Sequence, residues 1–161
     1  MDLGSILQKI ENERGGVASI HGVFSEFPQG IIAHYEFYQA IFLGENLPLS
    51  RFEREYLAVE TSKQNVCPYC IGHHEEALKN QEYQNARLIG EEKREALSNL
   101  AQILTQQPYK ASVTKPEFLR VGYKEEEFQH AVFVVSYFNL ANRLAHAMDL
   151  DLEPDFEKTC S

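Results

Sequence analysis

The chain has 161 residues, 43% of them hydrophobic, and 15 Lys and Arg against 24 Asp and Glu give a formal net charge of −9 at pH 7. This length and composition predict one domain with a real core, and the acidic balance leaves no electrostatic reason to bind nucleic acid or an anionic membrane. No stretch reaches the roughly 18 apolar residues of a membrane span, and the first residues do not resemble a signal peptide, so we expect a cytoplasmic protein.

The first part of the chain predicts two helices separated by an irregular segment. Residues 5–13 predict a short helix ended by two glycines, and residues 17–29 predict an irregular approach with at most one turn of helix. We interpret His21 as a surface or interface residue rather than a ligand. Residues 30–42 predict an amphipathic helix whose aromatic stripe is a packing face or, alternatively, the wall of a pocket for an apolar substrate.

Residues 50–82 carry the features on which a functional prediction depends. Ser50 and Glu53 form a Ser-x-x-Glu capping box that marks the start of a helix. Apolar residues follow at helical spacing: Phe52, Tyr56 and Val59. Glu55 falls at the rim of this stripe, where partial desolvation tends to raise the pKa of a carboxyl group and suits it to proton transfer. The alternative is a rim glutamate whose head reaches water.

A second helix is predicted to begin near Cys67, with Pro68 in the first helical position, where no backbone donor is lost. Cys67 then lies near the N-cap and Cys70 in the first turn, close to unpaired backbone N–H groups that favour a thiolate. His74 follows Cys70 by four residues and is therefore its neighbour on the helix surface. In a cytoplasmic protein, a Cys-x-x-Cys pair is typical of redox or metal-binding sites.

The following segments predict three shorter elements. Residues 83–90 predict a short helix or turn, and residues 91–106 predict a helix with an apolar side. Residues 114–117 form a second capping box, which predicts a short helix with Phe118 and Leu119 directed inward.

The longest predicted helix covers residues 124–149. Its centre, residues 131–144, is apolar on nearly every side, which indicates a buried spine or an oligomer contact. We interpret His130 and His146 as packed or surface histidines. Arg143 neutralises a buried carboxylate or binds an acidic substrate, or else forms a structural ion pair.

The chain after residue 148, which we call the tail, and the absence of strand patterns complete the fold prediction. Four acidic residues of the tail are interpreted as solvated charge, because the glycine of a calcium loop is missing: Asp149, Asp151, Glu153 and Asp155. We interpret Cys160 as an incidental thiol. No segment alternates with period two, so we predict an all-α single-domain bundle of six to eight helices, with residues 1–25 and 154–161 as peripheral segments.

The spacing of Glu55, Cys67, Cys70 and His74 resembles the AhpD-like alkylhydroperoxidase and carboxymuconolactone decarboxylase superfamily. That pattern is a glutamate, a Cys-x-x-Cys that begins twelve residues on, and a histidine four residues past the second cysteine. The sequence around the cysteines is most similar to the peroxidase-related branch, although some peroxidase members have histidine where this chain has Tyr69.

The resemblance is strong over residues 50–82 and looser from there to residue 153. Residues 142–145 resemble the C-terminal helix of the family, and residues 1–25 lie outside the resemblance. It implies an AhpD-like fold and self-association into trimers or hexamers, with no cofactor.

The resemblance also implies a thiol-dependent peroxidase of antioxidant defence, or a related disulfide oxidoreductase. Cys70 is then the peroxidatic thiol, His74 draws off its proton through a water with the help of Glu55, and Cys67 condenses with the sulfenic acid. A separate thiol reductant restores the dithiol. The residues alone leave the order of the cysteines open, since the first cysteine attacks in thioredoxin-type sites. Tyr69 hydrogen-bonds a peroxide oxygen of the substrate or merely packs.

Two other classes of function remain in view. Cys67, Cys70, His73 and His74 offer atoms that zinc favours, but successive helical residues are about 100° apart, so both histidines cannot easily face one metal. The other alternative is a non-catalytic binding or assembly protein with the same scaffold. Lactone decarboxylases of the superfamily generally do not rely on a Cys-x-x-Cys pair, so its presence points away from them.

Overall fold

The computed structural model describes residues 2–84 and 89–160, and these ranges contain helices and turns but no strand. Eight α-helices follow one another in these ranges: α1 Leu3–Arg14, α2 Ser19–Gly22, α3 Pro28–Tyr38, α4 Arg51–Gln64, α5 Pro68–Gln84, α6 Glu91–Gln106, α7 Lys115–Arg120 and α8 Glu125–Ala147. The predicted all-α class is confirmed. Of the element predicted over residues 83–90, residues 85–88 lie outside the described residues. No helix in the described ranges is long and apolar enough to cross a membrane.

The start of α4 is fixed by the predicted capping box. The Ser50 hydroxyl accepts from the Glu53 N–H, and the Glu53 carboxylate accepts from the Ser50 N–H at 2.8 Å. Such a cap stabilises a helix by about 0.5–2 kcal/mol. The other carboxylate oxygen of Glu53 accepts from the Tyr123 hydroxyl at 2.7 Å, which ties α4 to the segment before α8.

The turn between α4 and α5 places the cysteines at the start of a helix, as predicted. α4 ends at Gln64, and Val66 takes a left-handed φ of 51° that lets the chain reverse. Cys67 donates its N–H to the Ser62 carbonyl at 3.0 Å, and its own carbonyl accepts from the Ile71 N–H at 3.0 Å. Pro68 is the first residue of α5, which packs against α4.

The helix α3 begins at Pro28 rather than at residue 30 and ends in a π-helical turn, Gln39–Leu43, which the sequence did not predict. Its inward face is the predicted one: Ile31, His34, Tyr35, Tyr38 and Phe42 are buried. The carbonyls freed at the π-helical turn are satisfied by buried side chains. His130 donates to the Ile41 carbonyl at 2.7 Å, and Arg54 donates to the carbonyls of Phe42 and Gly44.

The long helix α8 is the spine of the bundle, since it packs against α4, α5, α6 and α7. Its buried face consists of small and aromatic side chains: Ala131, Val134, Val135, Tyr137, Phe138, Ala141 and Ala145. Two large apolar side chains on its outer face, Phe133 and Leu140, are 56% and 43% exposed. Residues 131–144 are thus buried on one side only.

The predicted start of α7 is wrong in two respects. The Thr114 hydroxyl donates to the Ala111 carbonyl instead of capping α7, because a 3-10 turn, Pro108–Thr114, leads directly into the helix. Phe118 is buried as predicted, but Leu119 is 37% exposed. Neighbouring residues on a helix differ by about 100°, and on this short surface helix only Phe118 points into the core.

The two segments predicted to be peripheral both contribute to the core. Ile6 and Ile10 of α1 are fully buried, and Cys160 near the other end of the chain is 4% exposed. α2 is the single turn of helix that the sequence allowed in residues 17–29.

Candidate active site

A cavity of about 70 Å³ lies where α1, α2, α4, α5, α8 and the tail meet, and we call it the Cys70 cavity. Its polar lining comes from Arg14, His21, Arg51, Glu55, Cys70, His73, His74, Thr159 and Cys160. Its aromatic wall comes from Tyr38, Tyr69, Tyr137 and Phe138. The volume leaves room for water or a small polar group beside the Cys70 sulfur.

Glu55 and His74 form a hydrogen-bonded pair inside this cavity. Glu55 Oε2 lies 2.7 Å from His74 Nδ1, and Glu55 Oε1 lies 2.6 Å from a guanidinium nitrogen of Arg51. Glu55 is fully buried, so its predicted position at the rim of the apolar stripe is wrong. The Arg51 guanidinium and the His74 N–H replace the hydrogen bonds that solvent would have supplied there, since a buried carboxylate needs paired donors.

The electrostatics of this pair differ from the sequence prediction. Burial raises the pKa of Glu55, but His74 and Arg51 outweigh it and hold that pKa below its usual value. Burial, with smaller contributions from His73 and Arg51, lowers the pKa of His74 despite the opposing effect of Glu55. His74 is therefore a neutral imidazole beside an ionised carboxylate. Its Nδ1–H donates a hydrogen bond to Glu55, which leaves Nε2 as the nitrogen that can accept a proton. Glu55 orients the base rather than taking the proton itself.

Cys67 and Cys70 are both reduced and buried, and they contact each other. The Cys70 side chain and the Cys70 N–H lie beside the Cys67 sulfur, and their polar interactions with it hold the pKa of Cys67 below that of a free thiol. The same contact with Cys67, together with burial, raises the pKa of Cys70 well above its usual value. The resting pair therefore favours a Cys67 thiolate that accepts the proton of Cys70.

Asn142 of α8 completes the cysteine pair, and the sequence analysis did not identify it as a site residue. Its side chain lies beside both sulfurs and favours the ionised form of each. The amide is held in place because Asn65 donates to its oxygen at 2.8 Å and its nitrogen donates to Ser62 at 3.0 Å. The sequence signal that could have found it is an amide inside the apolar stretch of residues 131–144, and the structure shows this amide fully buried.

Glu153 is a hub of hydrogen bonds rather than solvated charge, so that prediction is wrong. Its carboxylate accepts from the Ser19 N–H, from the Tyr69 hydroxyl at 3.1 Å and from His73 Nε2 at 2.9 Å. Burial raises the pKa of Glu153, but the bonds from His73 and Ser19 outweigh it and hold the pKa below its usual range. The Tyr69 hydroxyl also accepts from the Ile20 N–H at 3.2 Å, which favours packing over binding of substrate.

The tail folds back over the cavity, so Cys160 is not the incidental thiol that the sequence suggested. Its sulfur lies 3.7 Å from His73 Nδ1 and donates to the Phe156 carbonyl at 3.2 Å. The neighbouring Thr159 carbonyl accepts from Arg14 of α1 at 2.5 Å. Burial raises the pKa of Cys160 to about 12, so it lines the cavity as a neutral thiol.

His21 is buried in the cavity wall, contrary to its interpretation as a surface or interface residue. Its ring lies 5.2 Å from His34, whose Nε2 lies 3.0 Å from the Tyr137 hydroxyl. Burial lowers the pKa of His21 to about 3. Within the described ranges its Nδ1 has no hydrogen-bond partner.

The other basic residues singled out in the sequence lie apart from the Cys70 cavity. Arg143 is exposed and donates to Asn139 of its own helix at 2.6 Å, and Arg51 is the residue that neutralises the buried carboxylate. His130 is packed, and His146 is exposed with Nε2 3.0 Å from the Asn65 carbonyl, as predicted.

His73 and His74 face different carboxylates, Glu153 and Glu55. Over residues 2–84 and 89–160, no three His, Cys, Asp or Glu side chains are grouped closely enough to hold a metal ion. The zinc alternative, which needed both histidines at one point, has no geometric support.

Solved structures match the chain over 98% of its length. An uncharacterized peroxidase-related protein from Silicibacter and a second one from Ralstonia eutropha, described as an alkylhydroperoxidase AhpD core, each superimpose with a TM-score of 0.81 at 19% identity over 88% of their chains. The chain has the AhpD-like fold. The apo debrominase Bmp8 has the same architecture, with a TM-score of 0.74 at 18% identity over 89% of its chain. No sequence model of a protein family and no curated protein sequence matches the chain.

The AhpD-like fold therefore hosts proteins named for different reactions, and the reaction must be argued from the site. In this chain, the AhpD-like helices bring a thiol pair, a neutral imidazole and an ionised carboxylate to one buried place.

Proposed function

We propose that the protein is a thiol-dependent oxidoreductase that reduces hydroperoxides through Cys67 and Cys70. One observation carries this proposal: Cys70 faces the same cavity as the hydrogen-bonded Glu55–His74 pair while it contacts Cys67. A thiol that can lose its proton to a neighbouring base, beside a second thiol that can trap the product, is what reversible peroxide reduction requires.

The proposed reaction begins with removal of the Cys70 proton, which passes to His74 through a water or to the Cys67 thiolate. The imidazolium is stabilised by the Glu55 carboxylate, whose Oε2 lies 2.7 Å from Nδ1 and accepts its hydrogen bond. The Cys70 thiolate attacks the terminal peroxide oxygen, the O–O bond breaks, and the alcohol leaves with a proton. Cys70 is now a sulfenic acid.

The second half of the reaction forms a disulfide. The Cys67 sulfur attacks the sulfenic sulfur of Cys70, the S–O bond breaks, and hydroxide leaves as water after taking a proton. The disulfide holds the two electrons that the peroxide accepted, so a separate thiol reductant must return two electrons to restore the pair.

The order of the cysteines follows from position rather than from acidity. Cys67 is the more acidic thiol of the resting pair, as in thioredoxin-type sites, but Cys70 lines the cavity with His74. We therefore assign peroxide attack to Cys70 and keep the cytoplasm as the proposed location, where thiol reductants are abundant.

A count of thiols tests this proposal. Reduced protein is mixed with cumene hydroperoxide without a reductant, and free thiols and adducts of a sulfenic-acid probe are mapped by mass spectrometry. We expect wild type to lose two thiols per hydroperoxide consumed. Cys67→Ser should stop at a sulfenic acid on Cys70, and Cys70→Ser should not react.

The proposal fails if Cys67 and Cys70 stay reduced while hydroperoxide persists. Cys160→Ser serves as the matched control, because it removes the other thiol that lines the Cys70 cavity without changing the pair, and it should oxidise as wild type does.

A further inference from the structure

The two cysteines of the pair line two different openings in the fold. Cys70 lines the Cys70 cavity, whereas Cys67 lines a second opening formed by the start of α5, the end of α8 and the chain that follows it. We call this second opening the Cys67 cleft. Its volume of about 460 Å³ exceeds the 70 Å³ of the Cys70 cavity, so it admits a larger molecule.

The rim of the Cys67 cleft is acidic. Asp149 and Asp151 border it and are both exposed, and the whole chain carries a net charge of −9. His146 lies on the same rim. Carboxylates at the mouth of a cleft attract cations and repel anions before contact is made.

The backbone holds these carboxylates at the rim. Asp149 takes a left-handed φ of 50° and donates its N–H to the His146 carbonyl at 3.2 Å. The chain then crosses α5 where Gly72 has no side chain, since a Cβ there would lie 2.5 Å from Leu152. The acidic segment therefore packs closely against the beginning of α5, which Cys67 directly precedes.

We propose that Cys67 is the cysteine attacked during reduction, and that the Cys67 cleft admits a thiol reductant with a positive charge near its sulfur. This inference rests on the proposed function for the existence of a disulfide cycle. It adds the side from which electrons return and the chemistry of the molecule that brings them. Oxidant and reductant then reach the pair from different openings, and neither must leave before the other enters.

The proposed exchange balances as two thiol–disulfide steps. The reductant thiolate attacks the Cys67 sulfur, the bond between the two protein sulfurs breaks, and the electron pair stays on Cys70, which takes a proton through His74. A second reductant thiolate attacks the reductant sulfur of the mixed disulfide, and Cys67 leaves as a thiolate. The sum converts one protein disulfide and two thiols into a dithiol and one small-molecule disulfide.

The experiment starts from a disulfide made with diamide, so it does not depend on any reaction with hydroperoxide. The oxidised protein is reduced at low ionic strength with cysteamine or with 3-mercaptopropionate, which differ in the sign of the charge two carbons from sulfur. The rate ratio of the two thiols is compared between wild type and the double variant Asp149→Asn/Asp151→Asn. Comparing ratios cancels the intrinsic reactivity of each thiol.

We expect the ratio of cysteamine to mercaptopropionate to fall about fourfold in the double variant, about twofold for each exposed charge interaction removed. Added salt should reduce the wild-type ratio in the same direction. Asn tolerates the left-handed conformation of Asp149, so the variant keeps the turn. The control Glu126→Gln/Asp155→Asn removes the same charge from exposed positions outside the cleft and should keep the wild-type ratio.

A second measurement locates the attacked sulfur. Limiting cysteamine is quenched with acid and N-ethylmaleimide, and tandem mass spectrometry assigns the mixed disulfide, which we expect on Cys67. An adduct on Cys70 overturns the inference, as does a rate ratio that the Asp149→Asn/Asp151→Asn change leaves unaltered. Failure of peroxide-driven oxidation would instead contradict the proposed function and leave both of these results standing.

Discussion

At the scale of single residues, the proposed chemistry depends on a carboxylate that holds an imidazole in one tautomer. Glu55 has no exposure, and its two oxygens are divided between His74 and Arg51. The imidazole cannot turn away from this carboxylate without breaking a 2.7 Å bond. The orientation of the base is therefore as much a property of Glu55 as of His74.

Replacing Glu55 by Gln should slow peroxide-driven thiol loss by about 100-fold, the low end of what a positioned base contributes. The amide can bind His74 with either its oxygen or its nitrogen, so the tautomer with a free Nε2 acceptor is no longer selected. The measurement is the single-turnover rate of thiol oxidation at pH 7, on protein shown to be folded by circular dichroism.

Glu53→Gln is the control for this change, because Glu53 is a buried glutamate of the same helix that bonds Ser50 and Tyr123 instead. It should lose about 1 kcal/mol of stability with the capping box but retain the rate. Equal rate losses in the two variants would show that the effect is structural and that Glu55 has no role in orienting the base.

Asn142→Ala should raise the pKa of the Cys67 thiol, because the amide beside both sulfurs favours the thiolate. We expect a displaced pH midpoint of iodoacetamide alkylation in a Cys160→Ser background. Asn139→Ala is the control: Asn139 lies on the same helix and bonds Asn65 and Thr105, not sulfur. An unchanged midpoint in Asn142→Ala would mean that the amide serves packing alone.

At the scale of elements, the tail acts as a strap that joins α1, α2 and α5 over the Cys70 cavity. Glu153 binds Ser19, Tyr69 and His73, while the Thr159 carbonyl accepts from Arg14. Two neighbouring helices at the start of the chain and one from its middle are therefore held by the same segment. The enclosure of Cys70 depends on this strap.

Glu153→Gln should lower the free energy of unfolding by about 1–3 kcal/mol, because an amide cannot accept from all three donors. The pKa of Glu153 is depressed in the folded protein, so its contribution is present above the usual value of 4.5 and is lost as pH falls below it. Urea unfolding at pH 7 and at pH 4 measures both effects, and the variant should lose less stability than wild type between these two values.

We also expect reagents to reach Cys70 more easily when the strap is weakened. Glu153→Gln should react faster than wild type with a bulky thiol reagent at Cys70, whereas the control Asp155→Asn, an exposed acid of the same segment, should not. If both variants behave as wild type in unfolding and in thiol access, the tail does not enclose the cavity in solution.

At the scale of the whole molecule, the parts that sequence could predict are those set by local spacing. Cys70 and His74 are four residues apart on one helix, so helical periodicity was enough to predict them as neighbours, whereas the place of Glu55 beside them was implied by the family resemblance. The proximity of Cys67 and Cys70 could be predicted from the start of one helix alone. The rest of the site comes from distant segments whose packing no local pattern reveals: Arg14, His21, Asn142, Glu153 and Cys160.

The burial of Glu55 shows why the electrostatic prediction was wrong. A pattern of apolar residues assigned it to a rim, but α3, α8 and the tail cover that side of α4, as the cavity lining shows. The same covering explains why acidic residues of the tail, which look solvated in sequence, include the hub Glu153. Sequence periodicity describes one helix at a time, whereas burial depends on all of them.

The outer face of α8 bears on assembly. Phe133 and Leu140 are seven residues apart, so they lie on the same side of the helix, and both are exposed. Phe37 of α3 packs edge-on against Phe133 at 6.3 Å and extends the apolar surface. Clustered exposed aromatic and aliphatic side chains are typical of surfaces that a partner covers. The self-association that the resemblance implied stays a prediction, and we expect this face of α8 to form the contact between copies of the chain.

Phe133→Ser combined with Leu140→Ser should therefore shift the protein from trimers or hexamers to single chains, measured by sedimentation at several concentrations. Exposed substitutions of this kind change the stability of a monomer by about 0.5 kcal/mol or less, so a lost assembly would reflect the contact and not the fold. Val113→Ser combined with Leu119→Ser is the matched control, since both residues are exposed on the α7 side. A wild-type chain that sediments as a monomer would contradict the prediction. So would an assembly that survives the α8 changes, because the contact would then have to use another surface.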